Sequence, residues 1–158
     1  ATAFPSGVRN VPVEVTETAA PVLVRHKEYR LDSGGAGTQR GGLGQVMEIE
    51  SAEGKPFAIA MNFDRVRFPP RGRAGGLDGA AGRASLRSGR VLPGKGQVTI
   101  PPGDAVIVEM PGGGGYGVPR GRLPAAVLRD VAFGFVSPEA AAADYGRRLP
   151  ANKDAVEG

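Results

Sequence analysis

The sequence predicts a mainly β fold, a Gly/Pro-rich β-sandwich or barrel-like domain closed by a short carboxy-terminal helical hairpin. Three observations predict it. Short apolar, β-prone stretches recur between turn formers such as Ser88-Gly89, Pro93-Gly94 and Pro102-Gly103. Gly (26) and Pro (14) together make up about a quarter of the 158 residues, so much of the backbone must lie in turns and close approaches. After Gly117 the texture changes, and apolar residues fall at helical spacing.

In chain order, residues 11–16 form a first β-prone stretch, and Pro21 punctuates before a strand over 22–31. That strand opens with the apolar Val22-Leu23-Val24 and continues with Arg25, His26, Lys27 and Glu28, which suits an edge or a solvent face. The glycine-rich segment 33–44 follows. Alternation over 45–50 sets Met47 and Ile49 against the outward Glu48 and Glu50. The Glu53-Gly54 turn leads into a strand over 57–63, and an irregular, Arg-rich loop occupies 65–82. Short strands resume at 84–86, 90–92, 97–100 and 105–110. Pro124 then stands where a first helical residue should, Leu123, Val127 and Val131 follow helical spacing, and Gly134 sits past the end. Ser137-Pro138 opens a second helix, with Ser137 as its cap and Gly146 as its stop. The expected organisation is a β-rich domain over 1–121, a helical hairpin packed on it over 122–149, and a flexible tail over 150–158.

Bulk composition excludes some classes and leaves others open. Hydrophobic residues at 41% suffice for a core, and with 6% aromatics and no Trp that core is one of Val, Leu, Ile and Ala. The net charge of +4 permits an acidic partner without requiring one. Absence of Cys fits a reducing cytoplasm. No apolar run approaches the roughly 18 residues of a membrane span. The chain opens Ala-Thr-Ala-Phe-Pro without an initiator Met, as expected of a fragment or a processed product.

Two phosphate-loop patterns occur formally. Gly89 to Lys95 matches the start of a Walker A loop, but Gly96 replaces the required Ser or Thr and a strand follows instead of a helix. A hairpin turn is the expectation there. Gly112-Gly113-Gly114-Gly115-Tyr116-Gly117 matches GxGxxG, yet Pro119 and Arg120 intervene before any helix. A tightly packed crossover accounts for it. His26 is the only His, which rules out a multi-histidine metal site within this chain. Arg65, Arg67, Arg71, Arg73, Arg83, Arg87 and Arg90, interleaved with Phe63 and Phe68, admit single-stranded nucleic-acid binding as an alternative. Fixed turns at Pro69-Pro70 and Gly75-Gly76 favour a solvated or partner-facing loop. Within 32–44, Asp32 and Arg40 are expected to pair as the polar core of an ordered loop. Replacing Gly34, Gly35, Gly41 or Gly42 by Ala is expected to destabilise wherever φ is positive. Exposed apolar area is expected near 11–24.

Taken in order, the loops resemble the end of hydantoinase B subunits. The series runs Phe4-Pro5-Ser6-Gly7, Asn10, Pro12-Val13-Glu14 and Pro21-Val22-Leu23 into Asp32-Ser33-Gly34-Gly35-Ala36-Gly37 and Arg40-Gly41-Gly42-Leu43-Gly44. Further on stand Phe68-Pro69-Pro70, Gly75-Gly76, Lys95, Pro102-Gly103-Asp104 and the run from Pro111 to Gly117. The family includes 5-oxoprolinases, N-methylhydantoinases and the related acetone and acetophenone carboxylases. The resemblance implies a large cytoplasmic ATP-dependent enzyme that opens a cyclic amide (a lactam, hydantoin or 5-oxoproline) or, alternatively, carboxylates a ketone. It also implies a hydantoinase A-type partner, with ATP bound largely by that partner and a divalent metal expected in the complete enzyme. The long amino-terminal portion of such a subunit is missing from this sequence, and the family's metal ligands belong to that portion. No cofactor or metal is therefore expected in this chain itself, and no membrane contact. Asp32, Ser33, Gly34, Gly35, Gly37, Arg40, Gly41, Gly42, Lys95, Gly112, Gly113, Gly114, Gly115, Tyr116 and Gly117 carry over as motif positions, without a chemical role.

Overall fold

The computed structural model describes residues 11–147. The element order is α1 (Val13–Ala19), β1 (Val22–Tyr29), β2 (Gln45–Ser51), β3 (Phe57–Asn62), β4 (Arg83–Leu86), β5 (Lys95–Ile100) and β6 (Ala105–Glu109). A 3-10 turn (Pro119–Gly121) then leads to α2 (Pro124–Ala132) and α3 (Pro138–Tyr145). One antiparallel sheet has the order β1-β2-β6-β4, and β3 pairs with β5 in a second sheet. The mainly β class and the closing helical hairpin are as the sequence predicts.

The two sheets share one apolar core. Leu86, Val106 and Val108 from the first meet Met61 and Ile100 from the second in one cluster that also holds Leu92. The alternation in β2 works as its pattern demands. Ile49 packs against this core, while Glu48 and Glu50 lie on the outer face. There Arg87 reaches both carboxylates and Arg25 binds Glu50. The hydrogen bonds from Arg87 and Arg25 hold the Glu50 carboxyl below its ordinary value.

Two local expectations are corrected, and the Gly54 connection is realised with a change of sheet. Residues 13–19 form a helix, not a strand: Pro12 stands at the N-cap, Glu14 lies in the first turn, and the Thr16 amide returns to the Pro12 carbonyl at 3.3 Å. Tertiary contact overrides the β-branched propensity, because Glu17 reaches from this helix to accept the amide of Val24 at 2.8 Å. Val11 and Val15 remain exposed, so this flank does present apolar area. The Gly54 turn joins β2 to β3, but the two strands enter different sheets, since β1 and β6 already occupy both edges of β2. Residues 90–92 make only an isolated bridge, Ser85 to Val91, after the tight turn at Gly89.

The hairpin follows its sequence signals closely. Pro124 is the first residue of α2, and Gly134 beyond it has φ of 68°. Ser137 caps α3 by accepting the Ala140 amide at 3.0 Å, and Gly146 closes it in the left-handed region. Val127, Val136, Ala141 and Tyr145 form a second small core with Ala36 from the glycine-rich segment. Leu123, placed on the inward stripe by spacing alone, is exposed. The Phe4–Gly7 motif, Asn10 and the expected tail at 150–158 lie outside the described residues.

Candidate functional site

Three irregular segments, 32–44, 70–82 and 111–117, lie side by side between the sheet and the hairpin. They hydrogen-bond to one another in place of a regular sheet. Gly35 donates to Gly113 O at 2.8 Å, Leu77 to Ala36 O at 2.7 Å, and Gly115 to Leu77 O at 2.9 Å. Tyr116 and Gln39 exchange both backbone bonds at 2.9 Å. The backbones approach so closely that side chains are excluded. A Cβ on Gly112 would land on the Ser33 carbonyl, and one on Gly115 would land on that of Ala36. Glycine is required here by proximity, and the GxGxxG match is a packed crossover with no nucleotide-loop geometry.

The other motif positions fall around this layer. Gly34 faces the Gly41 carbonyl, Gly41 faces that of Gly113, Gly37 abuts Tyr116, and Gly114 lies against Arg71. Gly113 passes beside Gly42, which is itself open to solvent on its Cβ side, and Gly117 makes a left-handed turn at φ 74° against Thr38. None of Gly34, Gly35, Gly41 or Gly42 has a positive φ, which corrects the conformational reason expected for them. Ser33 is fully buried. Its hydroxyl donates to Arg30 O at 2.5 Å and accepts the Gly44 amide at 2.8 Å, closing the loop on itself. Tyr116 is held by its backbone while its ring stays exposed.

Asp32 and Arg40 do not pair. Asp32 adopts φ of 56°, and its carboxylate accepts the Ser137 amide at 2.8 Å, tying the loop to the start of α3. Arg40 turns inward instead. Its Nε meets Asp130 Oδ2 at 3.2 Å and its Nη1 donates to Gly41 O at 2.7 Å. Arg122 reaches the same Asp130 oxygen at 2.8 Å and also donates to Thr38 O at 3.1 Å. The side chains of Arg40, Asp130 and Arg122 are 14%, 6% and 11% exposed, so the triad is a mostly buried clamp between the glycine layer and α2. A buried guanidinium favours a buried carboxylate, and Asp130 supplies it beside the Gly41 carbonyl, whereas Asp32 sits at the surface. Asp130 and Arg122 were not singled out from the sequence. The available signal was a carboxylate three residues after Val127, on the apolar stripe of α2.

Lys95 lies elsewhere, at the start of β5, and binds Asp64 Oδ1 and Asn62 Oδ1, each at 2.8 Å. The hydrogen bond and charge of Lys95 hold the Asp64 carboxyl below its ordinary value. Lys95 borders a cavity of 270 Å³ walled by Phe63, Val66 and Phe68. The left-handed Gly96 and the strand after it exclude a phosphate-loop helix, as the sequence predicts. His26 is exposed, 3.5 Å from Glu48. Arg65, Arg67, Arg71 and Arg73 are exposed on the ordered loop between β3 and β4. Among the described residues no group of three or more His, Cys, Asp or Glu is gathered as a metal site would require, and no helix is long and apolar enough to cross a membrane.

A glycine-layered β-module clamped to a helical pair by buried charge is thus the class that fold and site define. The Hydantoinase B/oxoprolinase family model matches residues 1–119, and the chain belongs to that family. It is 35% identical over 151 residues to caprolactamase subunit beta of Pseudomonas jessenii, covering 89% of this chain and 25% of the relative. The crystal structure of the ATP-dependent caprolactamase from Pseudomonas jessenii superimposes with a TM-score of 0.77 at 33% identity, over 89% of this chain and 26% of that one. The nucleotide-free structure of acetone carboxylase shares the fold, with a TM-score of 0.74 at 20% identity, over 86% of this chain and 23% of that one. The chain therefore spans about a quarter of the length of these relatives.

Proposed function

We propose that this chain is the carboxy-terminal module of an ATP-dependent cyclic-amide hydrolase of the hydantoinase/oxoprolinase type, and that it acts as a structural or subunit-interface module within that enzyme. The observation that carries the proposal is the match to a quarter of a caprolactamase subunit, close in sequence and in fold. The residues of the module support a structural role. Its strongest polar constellation, Arg40–Asp130–Arg122, is spent on holding the hairpin. Its Walker-like stretch closes a turn, and its one His is paired at the surface.

On this proposal, ATP, a divalent metal and the cyclic amide are bound by the remainder of the subunit and by a hydantoinase A-type partner in the cytoplasm. On the same proposal this module contributes contacts to the rest of the enzyme and no cofactor ligand. The test is lactam-dependent ATP hydrolysis by the complete two-component enzyme, by the same enzyme with this module deleted, and by the module alone. The expected result is turnover by the first, assembly-limited loss in the second, and none in the third. Sustained turnover by the module alone, or undiminished turnover without it, contradicts the proposal.

A further inference from the structure

The clamp of Arg40, Asp130 and Arg122 is unbalanced: two guanidinium groups share a single carboxylate oxygen. Burial makes that imbalance matter, because an uncompensated charge in a low-dielectric setting strongly favours a counter-ion. Arg122 is enclosed, and its Nε finds no acceptor. Arg40 is different. Its Nε and Nη1 are engaged, and no acceptor among the described residues meets its Nη2. Arg40 also lines an open cavity of 220 Å³, together with Tyr29, Leu43 and Phe135.

The walls of that cavity are aromatic and geometrically fixed. The Arg40 guanidinium lies 5.4 Å from the centroid of Phe135, and Tyr29 packs edge-on to the same ring at 5.9 Å. Phe133 extends the aromatic strip, 5.6 Å from Phe135, and both Tyr29 and Phe133 are more than half exposed. The cation cannot swing away, since Asp130 and the Gly41 carbonyl hold its other two nitrogens. A fixed donor that needs no reorganisation is what makes an ion pair selective.

We propose that this cavity is a receptor for a carboxylate carried on a flat apolar body, with one carboxylate oxygen on Arg40 Nη2 and the body between Tyr29, Leu43 and Phe135. A monocarboxylate fits better than a phosphate. A phosphoryl group presents three acceptor oxygens and calls for several donors, whereas Arg40 is the one charged residue lining this cavity, beside Tyr29, Leu43 and Phe135. The cavity's residues are separate from the Lys95 pocket, and the assignment does not depend on which ring the complete enzyme opens.

The test is NMR of the full chain, following the Arg40 Nε–H by 15N and the rings of Tyr29 and Phe135 by aromatic 13C and 1H resonances. Benzoate serves as the probe, benzamide as its neutral isostere and acetate as a carboxylate without the body. Saturable benzoate shifts are expected at these three residues, with benzamide and acetate each at least about tenfold weaker, since each lacks one half of the recognition. Tyr29→Ala, at an exposed wall position, is expected to weaken benzoate several-fold with only a small fall in melting temperature. Arg40→Gln removes the charge and is expected to lose the benzamide discrimination. Equal binding of benzoate and benzamide overturns the proposal, as does no response at Arg40. Shifts spread evenly over the exposed Arg65 and Arg67 do so too, as they denote anion screening alone.

Discussion

Arg40 and Asp130 stand ninety positions apart in sequence and 3.2 Å apart in space, joining the glycine-rich loop to helix α2. The bond explains why a segment of such low side-chain content is ordered. One buried charge fixes it from outside, and backbone contacts fix it from within. The clamp is asymmetric, which gives a first prediction. Asp130→Ala strands two arginines and should cost about 3–5 kcal/mol of stability. Arg40→Ala leaves Arg122 with its carboxylate and should cost less, about 1–3 kcal/mol. The double variant should fall well short of the sum of the two. Chemical denaturation of the three variants checks this, and equal losses for both single changes would contradict the shared-carboxylate geometry.

A second prediction separates crowding from conformation in the glycine layer. Gly112→Ala drives a methyl into the Ser33 carbonyl, a backbone atom that cannot rotate away, and should cost about 1–3 kcal/mol or more. Gly42→Ala meets nothing within 4 Å and has no positive φ, so it should be neutral or stabilise by about 0.4–1 kcal/mol through the unfolded chain. The pair should be compared by urea unfolding midpoints. A Gly42→Ala loss as large as that of Gly112→Ala would show that the layer depends on glycine flexibility instead of proximity.

The strands and the hairpin were legible in the sequence because each carries its own local signal. Alternation marked β2, Pro124 and Gly134 bracketed α2, and Ser137 announced α3. Sheet membership was not legible, since the turn at Gly54 fits a hairpin and a change of sheet equally well. Helix α1 was missed because Val13, Val15 and Thr16 favour extended backbone until Glu17 can reach the Val24 amide. The Asp32–Arg40 error has the same origin. Charges eight residues apart look like partners along the chain, whereas burial decides the match and places Asp130 nearer. The glycine motifs pointed to an ordered layer correctly, but which glycine touches which carbonyl is a property of three distant segments.

The revised role of Asp32 gives a third prediction. Its left-handed φ of 56° favours Asp, Asn or Gly, and its carboxylate holds the Ser137 amide. Asp32→Asn keeps the backbone preference and an acceptor, and should change stability by less than about 0.5 kcal/mol. Asp32→Gly loses only the hydrogen bond, about 1 kcal/mol. Asp32→Ala adds left-handed strain of roughly 1–2 kcal/mol to that loss. Thermal unfolding should rank the three in that order, and Ala milder than Gly would refute the assignment.

Asp144 gives the last prediction, and its sign is opposite to the usual one for a carboxylate. Burial raises its carboxyl above the ordinary 3.8, and the nearby charge of Asp32 raises it further. The folded state therefore binds the proton more tightly than the unfolded chain does. Stability is highest below the unfolded value and is lost as pH rises through the raised one. Asp144 also lies in the last turn of α3, where the helix dipole opposes a negative charge. Asp144→Asn removes both penalties. It should raise the melting temperature at about pH 7, the dipole part alone contributing about 0.3–1 kcal/mol. At about pH 3, below the ordinary aspartate value, the native carboxyl is largely neutral in both states and the advantage should shrink towards zero. Unfolding curves of the two proteins at both pH values measure the difference directly, and a gain that grows on acidification would reverse the assigned direction.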